Sequence, residues 1–403
     1  MIDDAQYAPT APQPAATRDG VPLAPLAGGF LPPYTERLHL LADLPAPTPE
    51  AITAAIAMAA GDAVSQKASD RSETSTDDPD NAGSDDSSMT GAPSDGRTAA
   101  ALEATRAMDA WSAPFGDPED THSTVEDRRI EGPHGPIPLR IYRPEPGWTA
   151  PAPSPADDGR RAGLVWYHGG AFVAGDLDMP EADAVARGIV TRTGTIVVSV
   201  FYRLCNDGAT HHPVPHDDAC AAFRWTSAHA AGLGIDPARL AVGGASAGGC
   251  LAAGVALRGR DDGAVPWQAL LAYPVLHAEH WPAPSEELAD RLEEMPQVLR
   301  FPADVMAALN ANLLGGPVRD VPAHAFPGET ADLAGYPPTY IENCENDDLR
   351  ASGEAFARRL AAAGADVECV TCAGVPHGHL NAVGSPLTAR SLDRFAARLA
   401  RAR

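Results

Sequence analysis

The 403-residue sequence is poor in basic residues. It has 30 Lys and Arg residues against 54 Asp and Glu residues, which gives a formal net charge of −24 at pH 7. A nucleic-acid partner needs a basic face that neutralises phosphates, and an anionic membrane surface attracts basic segments. The charge balance therefore argues against both kinds of partner.

Long apolar runs and a cysteine framework are also missing. No uninterrupted run of about 18 apolar residues occurs, so we expect no transmembrane helix. The start, MIDDAQYAPTAPQP, lacks the basic and apolar parts of a signal peptide. Six cysteines in a chain of this length do not suggest a disulfide scaffold. Together these absences predict a soluble protein in a reducing, cytoplasmic setting.

The closest pair of cysteines is Cys369 and Cys372. Their flanking residues predict a strand, in which positions three apart face opposite sides. We therefore expect neither a redox role nor a metal site at this pair.

The first 125 residues differ in composition from the rest. The stretch 61–97 consists mainly of Ser, Asp, Gly and Thr. It has too few large apolar side chains to offset its ordering entropy, so we predict that it is disordered. Helical patterns over 34–59, with a start signal at Thr48-Pro49-Glu50, and over roughly 98–111 predict helices on either side of it. We therefore expect an N-terminal extension over 1–125 and a regular domain over 126–403.

Strands and helices alternate in the regular domain. A Gly-Pro-His-Gly turn predicts a hairpin, and apolar runs predict further strands at 164–167, 196–202, 240–243, 269–275, 339–343 and 367–371. Helical patterns lie between them at 181–193, 217–231, 248–257, 352–363 and 387–402. Apolar strands that alternate with helices predict an α/β fold with a parallel sheet covered on both faces. Functional residues in such a sheet lie at the carboxyl ends of the strands.

The strongest local motif is Gly-x-Ser-x-Gly, centred on Ser246. It follows a predicted strand and opens a predicted helix, which is the context of a nucleophile elbow. The strained turn that exposes the hydroxyl requires residues without side chains two before and two after the serine, and here these are Gly244 and Gly248. The alternative is a small-residue turn that merely lets strand and helix pack closely. The strand–helix context favours a nucleophile.

A second motif, HGGAF at 168–172, ends another predicted strand. Two successive glycines let backbone N–H groups point toward one site, as an oxyanion hole requires. We predict that the amides of Gly169, Gly170 and Ala247 hold a tetrahedral oxyanion. His168 is interpreted as a structural residue that braces the loop rather than as a general base.

Two more motifs lie at strand ends nearer the C-terminus, with acidic residues within 345–348 and histidines within 374–379. A serine hydroxyl is a poor nucleophile until a neutral imidazole takes its proton, and that imidazole needs a carboxylate that fixes its tautomer. We predict His377 as the base, with an acid among 345–348. The structural alternatives are a helix cap for the acid and an ordinary loop position for the histidine.

These motifs carry a family resemblance. From about residue 130 the chain resembles the hormone-sensitive-lipase-like branch of the α/β-hydrolase serine esterases, of the bacterial carboxylesterase type. The resemblance rests on HGGAF at 168–172, SVFYRL at 199–204, GGASAGG at 243–249, YPV at 273–275, ENDDLRASGEAFARRL at 345–360 and GVPHGH at 374–379. It implies an α/β-hydrolase fold, in which a mostly parallel eight-stranded sheet is flanked by helices. It also implies a helical cap, formed by N-terminal helices and an insertion at about 276–322.

The family pattern also indicates which carboxylate is the acid of the triad. It places the acid two residues before the Leu-Arg that opens the next helix, which makes it Asp347. Asp348 stands where the family usually has proline. We expect it near the helix start, where its carboxylate can interact favourably with the free backbone N–H groups of the first turn. Other departures from the pattern are Ala171, Phe201, 205–208, Ala245 and His379. None removes a catalytic group, and together they are compatible with a specialised substrate.

We therefore expect a carboxylic-ester hydrolase that uses Ser246, Asp347 and His377 as a triad and forms an acyl-enzyme. Short acyl chains are expected, because no lipid-binding segment is evident. The expected partner is a small-molecule ester, and no cofactor or metal is expected. A homodimer is one possible assembly.

Three alternatives remain at this stage. The first is an amide or formamide hydrolase with the same triad. The second is a non-catalytic ligand receptor on the same fold, against which the presence of His377 argues. The third is a metal-dependent hydrolase that uses His211, His212 and His216, but adjacent histidines lack the spacing of a helical ligand pair.

Overall fold

The structure is a computed structural model that describes residues 17–18, 21–22, 29–42, 44–54, 56–57, 95–152 and 159–401. Most of the stretch predicted to be disordered, up to residue 94, lies outside the described residues. Its last three residues, 95–97, open the helix Asp95–Ser112, which therefore begins earlier than predicted.

The helical pattern over 34–59 forms two pieces rather than one. A 3₁₀ helix covers Tyr34–Leu41, and an α-helix covers 49–54 and 56–57. Pro45 and Pro47 lie between them, and a proline has no N–H to donate within a helix. Thr48 Oγ1 accepts the N–H of Ala51 at 3.2 Å, which caps the second piece.

An eight-stranded sheet organises the rest of the described chain. The strands are β1 (Ser123–Ile130), β2 (Ile137–Pro144), β3 (Arg161–Tyr167), β4 (Ile196–Val200), β5 (Ile235–Ala245), β6 (Ala269–Ala272), β7 (Thr339–Asn346) and β8 (Val367–Pro376). Their spatial order is β1-β2-β4-β3-β5-β6-β7-β8. β1 and β2 are antiparallel, as are β2 and β4, and every other neighbouring pair is parallel. A separate pair of two-residue strands covers Thr17–Arg18 and Val21–Pro22. The predicted mostly parallel sheet is confirmed.

Helices connect the strands and cover both faces. They are α1 (Asp95–Ser112), α2 (Asp183–Thr193), α3 (Val214–Ala228), α4 (Ala230–Leu233), α5 (Ala247–Asp262), α6 (Glu286–Glu294), α7 (Ala303–Leu314), α8 (Arg350–Ala362) and α9 (Pro386–Leu399). Further 3₁₀ turns cover Gln297–Leu299, Pro327–Glu329 and His379–Asn381. α6 and α7 lie in the connection between β6 and β7, where the resemblance placed a cap insertion.

Side chains of β3 alternate between two apolar cores. Leu164 and Trp166 pack with residues of α2 and α9 on one face of the sheet. Val165 and Tyr167 pack with residues of α3, α5 and α8 on the other. Full burial of one such aliphatic side chain contributes roughly 1.5–3 kcal/mol. Both cores therefore hold the carboxyl ends of the central strands in place.

The described residues around 30–34 lie beside the C-terminal end of β8. Phe30 and Tyr34 are buried in the same core as Trp111. The N–H of Leu31 donates to the carbonyl of Gly374 at 3.0 Å. This segment therefore packs next to the strand end that leads to His377.

The structure also bears on the predictions about the cysteines and about long apolar helices. All six cysteines are free, and Cys369 is exposed whereas Cys372 is buried, as expected for opposite faces of a strand. Within the part of the chain that the structure describes, no helix has the length and apolar character needed to cross a membrane.

Candidate active site

Ser246 lies at the turn between β5 and α5. Its φ of +55° and ψ of −117° place a side-chain-bearing residue in a strained region of backbone space. A Cβ on Gly244 would overlap the carbonyl oxygen of Gly248, and a Cβ on Gly248 would overlap the carbonyl oxygen of Tyr167. The turn therefore has no room for a side chain at either glycine.

The structure brings Ser246, His377 and Asp347 into one hydrogen-bonded chain. His377 Nε2 lies 2.9 Å from Ser246 Oγ, and His377 Nδ1 lies 2.8 Å from Asp347 Oδ2. Asp347 is buried, and 13% of the His377 side chain is exposed. In this arrangement the Nδ1–H of His377 can donate to the Asp347 carboxyl oxygen while Nε2 accepts from the serine hydroxyl.

Asp347 and Asp348 point in different directions. Asp347 Oδ1 accepts the N–H of Leu349 at 2.9 Å. Asp348 instead accepts two bonds of 2.9 Å from the guanidinium of Arg300 and one of 2.8 Å from the N–H of Phe301. The expectation that Asp348 interacts with the free N–H groups of the helix start is therefore wrong. Its carboxylate binds the segment between α6 and α7, and Asp347 interacts with the start of α8.

Electrostatics at His377 favour its charged form. Burial by itself would lower the pKa of this imidazole. The charge of Asp347 and its hydrogen bond outweigh burial, and the charges of Glu181 and Asp348 act in the same direction. The pKa of His377 is therefore raised above its ordinary value.

The loop that was predicted to hold an oxyanion has a different hydrogen-bond pattern from the one expected. The N–H of Gly169 donates to Glu181 Oε1 at 2.6 Å. Because this N–H already has a carboxylate acceptor, the contact argues against the predicted role of Gly169 as an oxyanion donor. The next two residues, Gly170 and Ala171, have φ of +110° and +53°, so their amides turn in a new direction.

His168 braces this loop, as interpreted from the sequence. It is fully buried, and its Nδ1 lies 2.7 Å from the carbonyl oxygen of Gly169. Its ring stacks on that of Tyr202 with centroids 4.5 Å apart. Burial lowers the pKa of His168, which favours the neutral form of the ring.

Three residues near His377 were not identified as site residues from the sequence. Tyr273 and Phe301 each place a ring edge-on to His377, with centroids 4.9 Å apart in both cases. Glu181 is buried and binds the loop at Gly169. Only Tyr273 lay in a recognised motif, YPV. Phe301 and Glu181 lie in segments without a distinctive spacing, so no sequence signal identifies them.

The histidines at 211–216 are engaged with the surrounding backbone. His211 Nδ1 lies 2.7 Å from the carbonyl of Asn312, and His216 Nε2 lies 3.1 Å from the carbonyl of Ala325. Burial lowers the pKa of His216 to about 3. These contacts are those of structural histidines, and they give no support to the metal-dependent alternative.

One group of potential metal ligands occurs among the described residues. It consists of Glu342, Cys372 and His379, all buried. Thiolate, imidazole and carboxylate are donors that suit zinc. However, Arg394 Nε lies 2.7 Å from Glu342 Oε2, and Arg394 Nη2 lies 2.7 Å from Cys372 Sγ. The guanidinium already supplies a positive charge, so a divalent ion would be repelled here.

Several known proteins are similar to this chain. The model of a family described by its α/β hydrolase fold matches residues 164–381. Esterase LipI of Mycobacterium tuberculosis is 36% identical over 265 residues, which cover 64% of this chain and 76% of the relative. Carboxylesterase NlhH of the same organism is 38% identical over 274 residues, which cover 66% and 78% of the two chains. The structure of a hyperthermophilic esterase from Pyrobaculum calidifontis is similar with a TM-score of 0.60, at 32% identity, over 70% of this chain and 84% of the other.

Proposed function

Since this chain belongs to the hormone-sensitive-lipase-like family of α/β-hydrolases, we propose that it is a serine esterase that hydrolyses small carboxylic esters of short acyl chains. The observation that carries the proposal is the hydrogen-bonded chain from Ser246 through His377 to Asp347. Nucleophile, base and orienting acid lie within hydrogen-bonding distance in the order that acyl transfer requires.

The reaction begins when Ser246 Oγ attacks the ester carbonyl carbon while His377 Nε2 takes the hydroxyl proton. Asp347 stabilises the resulting imidazolium. The tetrahedral intermediate expels the alcohol, which receives the proton from His377, and an acyl-serine remains. Water then attacks the acyl-serine with His377 as the base again, and the acid leaves as Ser246 recovers its proton.

For the oxyanion we propose the amides of Gly170, Ala171 and Ala247. The amide of Gly169 is engaged by Glu181. Among the described residues, the amides of Gly170 and Ala171 donate no hydrogen bond. Ala247 opens α5, whose first N–H groups lack acceptors within the helix. Removal of one such donor from an oxyanion hole typically costs about 10²–10³ in kcat.

Short acyl chains are supported by the crowding around Ser246. The serine is buried, with 8% of its surface exposed. Phe301 lies against His377 and is tied to Asp348 through its N–H. We take this limited access to Ser246 as support for short rather than long acyl chains.

The proposal is tested with purified protein on p-nitrophenyl esters of increasing chain length. We expect hydrolysis that is fastest for the shortest chains. Ser246→Ala should remove nearly all of it, on the order of 10⁴–10⁶ in kcat. Ser199→Ala is the matched control, because Ser199 is buried in β4 and its hydroxyl has no partner among the described residues.

Near wild-type turnover by folded Ser246→Ala would overturn the proposal. Faster cleavage of amides than of matching esters would favour an amidase instead.

A further inference from the structure

Glu181 holds a buried carboxylate in the centre of the site. The residue is 2% exposed and lies just before α2. Its Oε1 accepts the N–H of Gly169 at 2.6 Å. Its Oε2 accepts the hydroxyl of Tyr273 at 2.5 Å and the side-chain amide of Asn381 at 3.2 Å. Three donors and one carboxylate thus satisfy each other away from water.

The three partners of Glu181 come from three different strand ends. Gly169 follows β3 and precedes the proposed oxyanion donors. Tyr273 follows β6 and carries the ring that contacts His377 edge-on. Asn381 follows β8, four residues after His377, and its side-chain oxygen also accepts the N–H of Glu181 at 3.1 Å. One side chain therefore links the loops of the oxyanion hole and of the base.

The charge of Glu181 also acts on the base. Its carboxylate contributes to the raised pKa of His377, in addition to Asp347 and Asp348. The titratable groups that interact with Glu181 itself include Tyr202, Tyr273, His377 and His379. The pKa of Glu181 is raised above its ordinary value, because burial outweighs the opposite effects of its hydrogen-bond donors and of the two histidines. Donors on both of its oxygens are the partners that a carboxylate requires.

We propose that Glu181 is a positioning residue with two tasks: it fixes the oxyanion loop through Gly169, and it stabilises the imidazolium of His377 as a second negative charge. The inference rests on the proposed function. Glu181 takes no proton in the reaction, because the proton moves between Ser246, His377 and the leaving group. Its contribution therefore belongs to kcat rather than to substrate binding.

Two substitutions separate the two tasks. Glu181→Gln keeps the size and one oxygen acceptor for Gly169 but removes the charge. We expect the acid limb of the kcat/KM profile to move to lower pH, because the pKa of His377 falls when a nearby negative charge is lost. Glu181→Ala also removes the support of Gly169, so kcat should fall by a further factor of about ten or more, with KM changed by less than about twofold.

Asp218→Asn is the matched control. Asp218 is a fully buried carboxylate in α3, and like Glu181 it accepts a loop N–H, that of Arg203 at 3.0 Å. It lies outside the site, so its loss should lower thermal stability without moving the pH profile. This control distinguishes a positioning role from the general cost of removing a buried carboxylate.

The outcomes are distinct for the two proposals. A folded Glu181→Gln variant with an unchanged acid limb and unchanged kcat would overturn the role of Glu181 while the serine esterase stands. A Glu181→Gln variant that does not fold, as judged by circular dichroism, would show a structural role and would also overturn it. A wild-type protein without esterase activity would overturn the proposed function itself.

Discussion

At the scale of single residues, the contrast between Asp347 and Asp348 is open to a direct test. Asp347→Asn should lower kcat by about 10⁴ without unfolding the protein, because the imidazole loses its fixed tautomer. Asp348→Asn should cost little activity on a small ester, since the asparagine oxygen still accepts the N–H of Phe301. Steady-state kinetics on both variants decide between them. A large defect in Asp348→Asn beside a mild one in Asp347→Asn would show that the acid has been assigned one residue too early.

The pH dependence is the second residue-scale prediction. His377 acts as a base only when it is neutral, and its pKa is raised, chiefly because Asp347 outweighs the effect of burial. We therefore expect the acid-side midpoint of kcat/KM to lie above the ordinary imidazole value of about 6.5. A profile of kcat/KM against pH measures it, and a midpoint below that value would contradict the prediction.

The raised pKa of His377 also makes the free energy of unfolding depend on pH. A folded-state pKa above the unfolded one means that protonation of His377 stabilises the folded state. This contribution is complete below the unfolded pKa and is lost as the pH rises through the folded pKa.

Single residues also show where sequence reasoning reached its limit. Ser246 and the two glycines around it were predictable, because the strained turn allows few residue types. Glu181 was not, since its three partners lie at distant strand ends that meet only in the folded sheet. The contact between Glu181 and the N–H of Gly169, which argues against Gly169 as an oxyanion donor, was hidden from the sequence for the same reason.

At the scale of structural elements, the turn between β5 and α5 should tolerate no added side chain. A Cβ on Gly248 would overlap the carbonyl oxygen of Tyr167, so Gly248→Ala should abolish activity and lower the free energy of unfolding. Gly232→Ala is the control, because Gly232 lies in α4 with open space around it. There alanine should stabilise the helix by roughly 0.5–1 kcal/mol. Denaturant unfolding and esterase assays measure both variants, and full activity in Gly248→Ala would contradict the steric argument.

Strands and helices were predictable where the apolar pattern of the sequence is regular. The strands and helices of the sheet domain lie close to their predicted positions, since buried parallel strands read as continuous apolar runs. The helix expected over 34–59 was interrupted because two prolines outweigh the apolar pattern. The segment that carries Phe301 shows no regular apolar pattern, so its structure was not predictable. An ion pair between Arg300 and Asp348 fixes its position in the fold.

At the scale of the whole molecule, the stretch 61–97 should be dispensable for chemistry. It has few apolar side chains to place in a core, and we expect a protease to cut first within 61–94. The clipped protein should keep its esterase activity, as measured after limited digestion and gel filtration. Resistance of this stretch to the protease, or loss of activity after a clean cut, would show that it covers the site.

The order of the strands has a consequence for heat inactivation. β8, which leads to His377, is the last strand of the sheet, whereas β5, which leads to Ser246, has neighbours on both sides. Edge elements detach at a lower free energy than central ones. On warming, the base should therefore separate from the nucleophile while most of the sheet is intact, so that activity fades before the far-ultraviolet signal changes. Cooling at that stage should restore the activity, because β8 can pair again with the strands of the sheet that have remained folded.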